Sequence, residues 1–181
     1  MANIKTLFLL RHAKSSWNNP RLDDRERPLN RRGLRDAPLV GKFMAGLANL
    51  PELILSSPAH RAYETAKIVA AELDHDLAAI RIHDAIYEAH PADLLKIIRG
   101  IPPTVSSALL VGHNPGITSI TNILAGSEIE KIPTCGFCLL RFEAETWPEI
   151  SAQSGQLLNF EYPKKFRKNE ADETAESSAC P

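Results

Sequence analysis

Three short stretches of the chain are almost wholly apolar and stop abruptly at polar residues: Ile4–Leu10, Leu53–Leu55 and Ala108–Val111. Side chains alternate between the two faces of a sheet, so an unbroken apolar run is what a strand buried on both faces requires. Cys138–Phe142 and Leu157–Phe160 predict two further strands. Between these segments the apolar period lengthens. Ala62, Ala66, Val69, Ala70 and Leu73 fall on one face of a helix, as do Ile117, Ile120 and Leu124. Ser57-Pro58 and Asn114-Pro115 read as the starts of these helices, a capping side chain followed by proline where the missing N–H costs nothing. Pro91–Arg99 predicts a shorter helix closed by Gly100 and Pro102. A further helix is expected within Asn30–Leu47, but Pro38 breaks its pattern. Either it begins near Asp36 or the proline bends it.

Strands alternating with helices predict an α/β fold, a three-layer α/β/α sandwich around a mainly parallel sheet. A chain of 181 residues accommodates this as one domain, expected to span residues 1–163. From Lys164 to Pro181 the composition shifts to Lys, Asp, Glu, Ser and Ala. That tail is expected to be disordered and dispensable for chemistry.

Charge narrows the range of partners. The net charge of −1 gives no general attraction to nucleic acid or to an acidic membrane, so neither is expected as a partner. Arg25, Arg27, Arg31, Arg32 and Arg35 crowd into one stretch that either docks an acidic partner or faces water. Three cysteines make no disulfide framework, no secretory pattern opens the chain, and no apolar run approaches the length of a membrane span. These features together predict a cytoplasmic protein. Cys135 and Cys138 have a metal-like spacing but no second pair, and on a strand they would face opposite sides. No His-x-His or His-x-x-x-His spacing occurs, so no metal is expected.

The chemistry gathers where the apolar runs end. Arg11 and His12 close the first, Arg61 follows the second through Ser56-Ser57-Pro58, and His113 follows the third. Each alone is ambiguous. Taken alone, an arginine there reads more readily as a surface residue, and a histidine as a satisfied core residue. In a parallel sheet, however, these junctions share one edge, the usual place for ligands in open α/β folds. Guanidinium and imidazole groups together at that edge point to chemistry on an anion.

The segment Arg11-His12-Ala13-Lys14-Ser15-Ser16-Trp17-Asn18 resembles the opening motif of the histidine phosphatase superfamily, which includes the cofactor-dependent phosphoglycerate mutases. Asp24–Gly33, Ser56–Ala66 and Val111–Gly116 continue the resemblance in order, over essentially all of Met1–Phe160. The chain's length and Tyr87-Glu88-Ala89-His90-Pro91 look most like the SixA subgroup, phosphohistidine phosphatases acting on histidine phosphotransfer proteins. The resemblance implies a phosphoglycerate mutase-like fold and a phosphatase that needs neither metal nor cofactor. His12 would be the nucleophile, Arg11, Arg61 and His113 would bind the phosphoryl oxygens, Asn18 would contact phosphate, and Glu88 would donate a proton. The family's usual glycine is Ala13 here, tolerated if its φ is negative, and Lys14 adds positive charge at the pocket mouth. The partner implied is a phosphorylated substrate, a histidine phosphotransfer protein in the leading reading. A small-molecule phosphomonoesterase with the same mechanism and a non-catalytic phosphate-binding module are the alternatives.

Overall fold

A computed structural model describes residues 4–167. Among these, a six-stranded sheet is built from β1 (Ile4–Arg11), β2 (Leu53–Ser56), β3 (Arg81–Ile82), β4 (Ser107–Gly112), β5 (Phe137–Glu143) and β6 (Gly155–Glu161). Its order is β3-β2-β4-β1-β5-β6. The first four in that order run parallel, and β5 and β6 extend the sheet antiparallel. The expected sandwich is observed, with a sheet more mixed on one side than the apolar runs suggested.

Alternation along the strands sorts the core into two layers. Leu7, Leu9, Leu53, Leu55, Ala108 and Leu110 face one side, where they meet α3 (Pro91–Arg99) and α4 (Gly116–Ala125). Phe8, Leu10, Ile54, Leu109 and Val111 face the other, against α1 (Arg31–Ala45) and α2 (His60–Glu72). Cys135 lies in the turn before β5 and not on a strand, and it and Cys138 fall in opposite layers; burial pushes both thiols upward, Cys138 to about 12.

Of the two readings of α1, the late start near Asp36 is not observed: the helix starts at Arg31 and carries Pro38 inside. Asn30 fixes that start, its side chain accepting the Gly33 N–H at 3.0 Å. The buried face Gly33, Asp36, Ala37, Val40, Gly41 and Met44 continues on both sides of Pro38, and its burial outweighs the lost hydrogen bond. Helices α2 and α4 start slightly later than their Ser-Pro and Asn-Pro signals, with Ala59 and Pro115 as N-caps. The Ser57 hydroxyl serves the turn before α2 instead, accepting from the Ala59 N–H at 3.3 Å.

Helical structure continues past Pro163, the expected end of the domain. Residues 163–167 form a helical turn whose Phe166 stacks on Phe43 with centroids 4.7 Å apart. Arg167 lies 3.3 Å from the buried Asp36 carboxylate. The remainder of the expected tail, 168–181, lies outside the described residues. No helix among the described residues is long and apolar enough to cross a membrane.

One close approach sets where α1 sits. A Cβ at Gly33 would lie 2.3 Å from the Lys14 carbonyl oxygen, itself bonded by the Asn30 N–H at 2.9 Å. Gly33→Ala is expected to lower stability by about 1–3 kcal/mol, because backbone rather than a flexible side chain must move. Urea unfolding of the variant against the parent checks this.

Candidate active site

The parallel register brings the candidate residues to one edge. Arg11 pairs with Gly112 across β1 and β4, and Ser56 with Val111 across β2 and β4. The residues that follow, His12, Ser57 and His113, therefore emerge side by side. Arg61 reaches the same place from the first turn of α2. Arg11, His12, Arg61, His113 and Glu88 line one cavity of about 360 Å³, with His90 and Asn114 on its wall.

His12 is 9% exposed, and its orientation is fixed from behind. Its Nδ1 lies 2.7 Å from the Ala13 carbonyl oxygen. A carbonyl can only accept, so Nδ1 carries the proton and Nε2 keeps its lone pair. That lone pair receives the Nε–H of Arg61 at 3.3 Å. The Ala13 amide donates to Thr65 Oγ1 at 3.0 Å, and the Thr65 hydroxyl donates to the Arg61 carbonyl at 2.6 Å. The loop after β1 and the first turn of α2 are thus joined through one threonine.

His113 completes the arrangement. Its ring centroid is 5.0 Å from that of His12. Arg61 Nη2 lies 3.4 Å from His113 Nδ1, and His113 Nε2 lies 2.8 Å from Ser57 Oγ. With Nδ1 accepting from the guanidinium, Nε2 holds the proton and donates to the serine. Arg11 is held by its Nη1, which donates to the Ile132 carbonyl at 2.9 Å, and its buried Nε has no protein partner among the described residues. Asn114 Nδ2 donates to the same carbonyl at 3.0 Å.

Sequence reasoning missed Asp24. It sits at the start of a single 3-10 turn, Asp24–Glu26, and holds two cations at once. Arg61 Nη2 donates to Asp24 Oδ2 at 2.7 Å, its Nη1 donates to the Asp24 carbonyl, and Arg27 Nη1 donates to Oδ1 at 2.7 Å. The Tyr87 hydroxyl adds a fourth bond, to Oδ2 at 2.9 Å. Burial alone would raise the Asp24 pKa, but the bonds from Arg27, Arg61 and Tyr87 hold it well below the usual carboxylate range. Nothing in the sequence separates Asp24 from the neighbouring Asp23. Only the fold shows which acid reaches α2.

Two predicted residues fare differently. Glu88 reaches the cavity on an exposed turn with φ of 53°, a left-handed conformation that disfavours a side chain. Asn18 does not reach it. Ser15 is held by Arg27 Nη2 at 2.6 Å and by a bridge to Leu29, so the loop turns away. Asn18 then lines a neighbouring hollow with Lys14, Trp17 and Arg31. The arginine-rich stretch is not one basic face. Arg27 is buried on Asp24, Arg25 pairs with Asp84 at 3.1 Å, and Arg32 and Arg35 flank Asp36. Among the described residues, no group of three or more His, Cys, Asp or Glu is placed to hold a metal ion.

Burial, with the nearby charges of His113, Arg61 and Arg11 as further causes, pushes His12 down to about 3 against the opposing Ala13 hydrogen bond. Burial and Arg61 push His113 down to about 4. Both rings are therefore neutral at pH 7. The unfolded chain binds protons on these histidines near their ordinary value of about 6.5, where the folded chain does not. Their contribution to stability is accordingly complete above that pH and is lost progressively as pH falls toward the folded values. Ring nitrogen spectra are expected to show no protonation step for His12 or His113 between about pH 5 and 8, with the His12 proton on Nδ1. A step near the ordinary histidine value at either ring would contradict the geometry.

The family model of the histidine phosphatase superfamily (branch 1) matches residues 7–97. An uncharacterized chloroplastic protein of Arabidopsis thaliana is 36% identical over 160 residues, covering 83% of this chain and 72% of its own. Among solved structures, one assigned as the phosphohistidine phosphatase SixA of Agrobacterium tumefaciens is 28% identical with a TM-score of 0.73, covering 88% of this chain and 98% of its own. A second SixA assignment, from Nakamurella multipartitia, has a TM-score of 0.76 at 24% identity over 90% and 98% of the two chains.

Proposed function

Since this chain belongs to the histidine phosphatase superfamily, branch 1, we propose that it is a metal-independent phosphohistidine phosphatase acting on proteins through a covalent intermediate on His12. The phosphatase assignment follows from the family. The substrate class and the residue roles are our reading. The observation that carries it is the single-tautomer His12, with Nδ1 tied to the Ala13 carbonyl and Nε2 facing Arg61 and His113.

A neutral imidazole with its lone pair directed into a cationic cavity is a competent nucleophile at pH 7. A phosphoryl oxygen is a far better acceptor than a neutral ring nitrogen, so an arriving phosphoryl group draws the Arg61 donors away from Nε2. Arg11, on the cavity wall, supplies further donors to the same oxygens, and the His113 Nε2–H another once it exchanges Ser57 Oγ for a phosphoryl oxygen. Nε2 then bonds to phosphorus as the bond to the leaving nitrogen breaks, and an imidazole protonated on its other nitrogen leaves neutral. Glu88 is placed to protonate a leaving group without such a proton, an ester oxygen above all. Water next attacks the phosphorus, the P–Nε2 bond breaks, and the water's proton passes to solvent. Inorganic phosphate leaves with His12 neutral again. The left-handed turn at Glu88 supports its role, because strained backbone persists where the surroundings hold a side chain for use. The buried thiols of Cys135 and Cys138 accord with a reducing cytoplasm as the place of action.

Turnover of a histidine-phosphorylated phosphotransfer domain, set against a panel of phosphorylated metabolites, tests the reading. The protein substrate is expected to be cleaved faster, His12→Ala to abolish cleavage, and a strong chelator to leave it unchanged. Faster cleavage of a metabolite would keep the mechanism and move the substrate class to the small-molecule reading. Binding without turnover of any substrate would favour the phosphate-binding module.

Glu88→Gln separates the leaving groups. An alkoxide needs the proton, whereas an imidazole protonated on its other nitrogen leaves neutral. Esterase turnover is expected to fall by about 100-fold or more, and phosphohistidine turnover by less than about tenfold.

A further inference from the structure

We propose that the hollow beside the cavity, walled by Trp17, docks an acidic face of the protein that carries the phosphohistidine; this rests on the protein-substrate reading above. The hollow, about 720 Å³, includes Lys14, Trp17, Asn18, Arg31, Arg32 and Leu34 in its lining, and no Asp or Glu lines it. Lys14 is two residues beyond His12, which limits the Cα separation to about 7 Å. A surface seated here therefore abuts the cavity mouth.

Trp17 is the distinctive feature. It is 71% exposed, yet it is not loose. The Arg27 guanidinium lies over one face of the indole, 3.2 Å from the ring centroid. Arg27 is itself only 7% exposed and is fixed by Asp24, Ser15 and the Ser16 carbonyl. The indole thus presents its other face to solvent from a rigid support. An aromatic side chain ordered before binding loses little entropy when a partner arrives. Half-exposed Leu34 adds a second apolar contact.

The charge around this platform has one sign. Lys14 and Arg31 form no ion pair among the described residues, and Arg32 approaches Asp36 no closer than 3.9 Å. The positive end of α1 opens at the same place. With the whole chain at −1, this local excess is a feature of the hollow and not of the protein at large. A rigid tryptophan ringed by cations is the composition of an interface centre and selects a partner with carboxylates around an apolar contact. A phosphorylated metabolite, gripped at His12, would not extend across it.

Trp17→Ala and Arg31→Glu test this in the full chain. An acidic residue in the first turn of α1 suits the helix dipole, so Arg31→Glu is not expected to impair folding. Each variant is expected to raise the KM for a histidine-phosphorylated phosphotransfer domain by about tenfold or more, the scale of a lost interface anchor. Hydrolysis of p-nitrophenyl phosphate is expected to stay within about twofold, as for a site remote from the chemistry. Equal losses on both substrates would show a structural role and overturn the proposal. So would unchanged KM values, or binding to anionic phospholipid vesicles that both variants lose while KM for the protein is unaltered. A parent protein that cleaves the ester but no phosphohistidine domain would instead overturn the substrate reading, and this inference with it.

Discussion

The structure of the site depends on a buried guanidinium. Arg61 is 6% exposed, and a charge in that position is tolerated only with a counter-charge and satisfied donors. Asp24 supplies both, from a turn far away in sequence. The bond draws the long loop between His12 and α1 across the mouth of the sheet, where Arg27 and Tyr87 then join the same carboxylate. His12 and His113 each meet an edge of the guanidinium. The geometry of both rings follows from where Arg61 is held.

The sheet supplies the other half of the design. Parallel strands in register deliver residues of different origin to one edge without any of them needing a special backbone. Antiparallel β5 contributes from the opposite direction. The loop before it carries the Ile132 carbonyl that fastens both Arg11 and Asn114, and the Cys135 N–H that bonds the carbonyls of Arg11 and His12 at 3.1 Å. The cationic end of β1 is therefore braced from both neighbours, β4 on one side and the approach to β5 on the other.

The strands and the four residues Arg11, His12, Arg61 and His113 were legible because each depends on local pattern. An apolar run states that a strand is buried on both faces, and the residue ending it must lie at an edge. What was not legible depends on tertiary closure. Pro38 is a local signal against a continuous helix, overridden by a buried face that extends to Met44. Asn18 follows a readable motif, but the Arg27 bond to Ser15 turns its loop aside. Asp24 carries no periodicity and no spacing, so only its partner across the fold identifies it. Arg27 belongs to a run that reads as surface charge and is nonetheless buried.

The Ala13 carbonyl also decides an isomer. A phosphorylated imidazole exists in two forms, one on each ring nitrogen, and a ring free to flip would yield both. Here one nitrogen is tied to the chain immediately following it, so the phosphoryl group that we propose for His12 would have a single regiochemistry. On the proposed mechanism the intermediate would be chemically uniform, whichever nitrogen of an incoming histidine bore the phosphate. The carbonyl of one small residue would thereby separate the identity of the intermediate from that of the substrate.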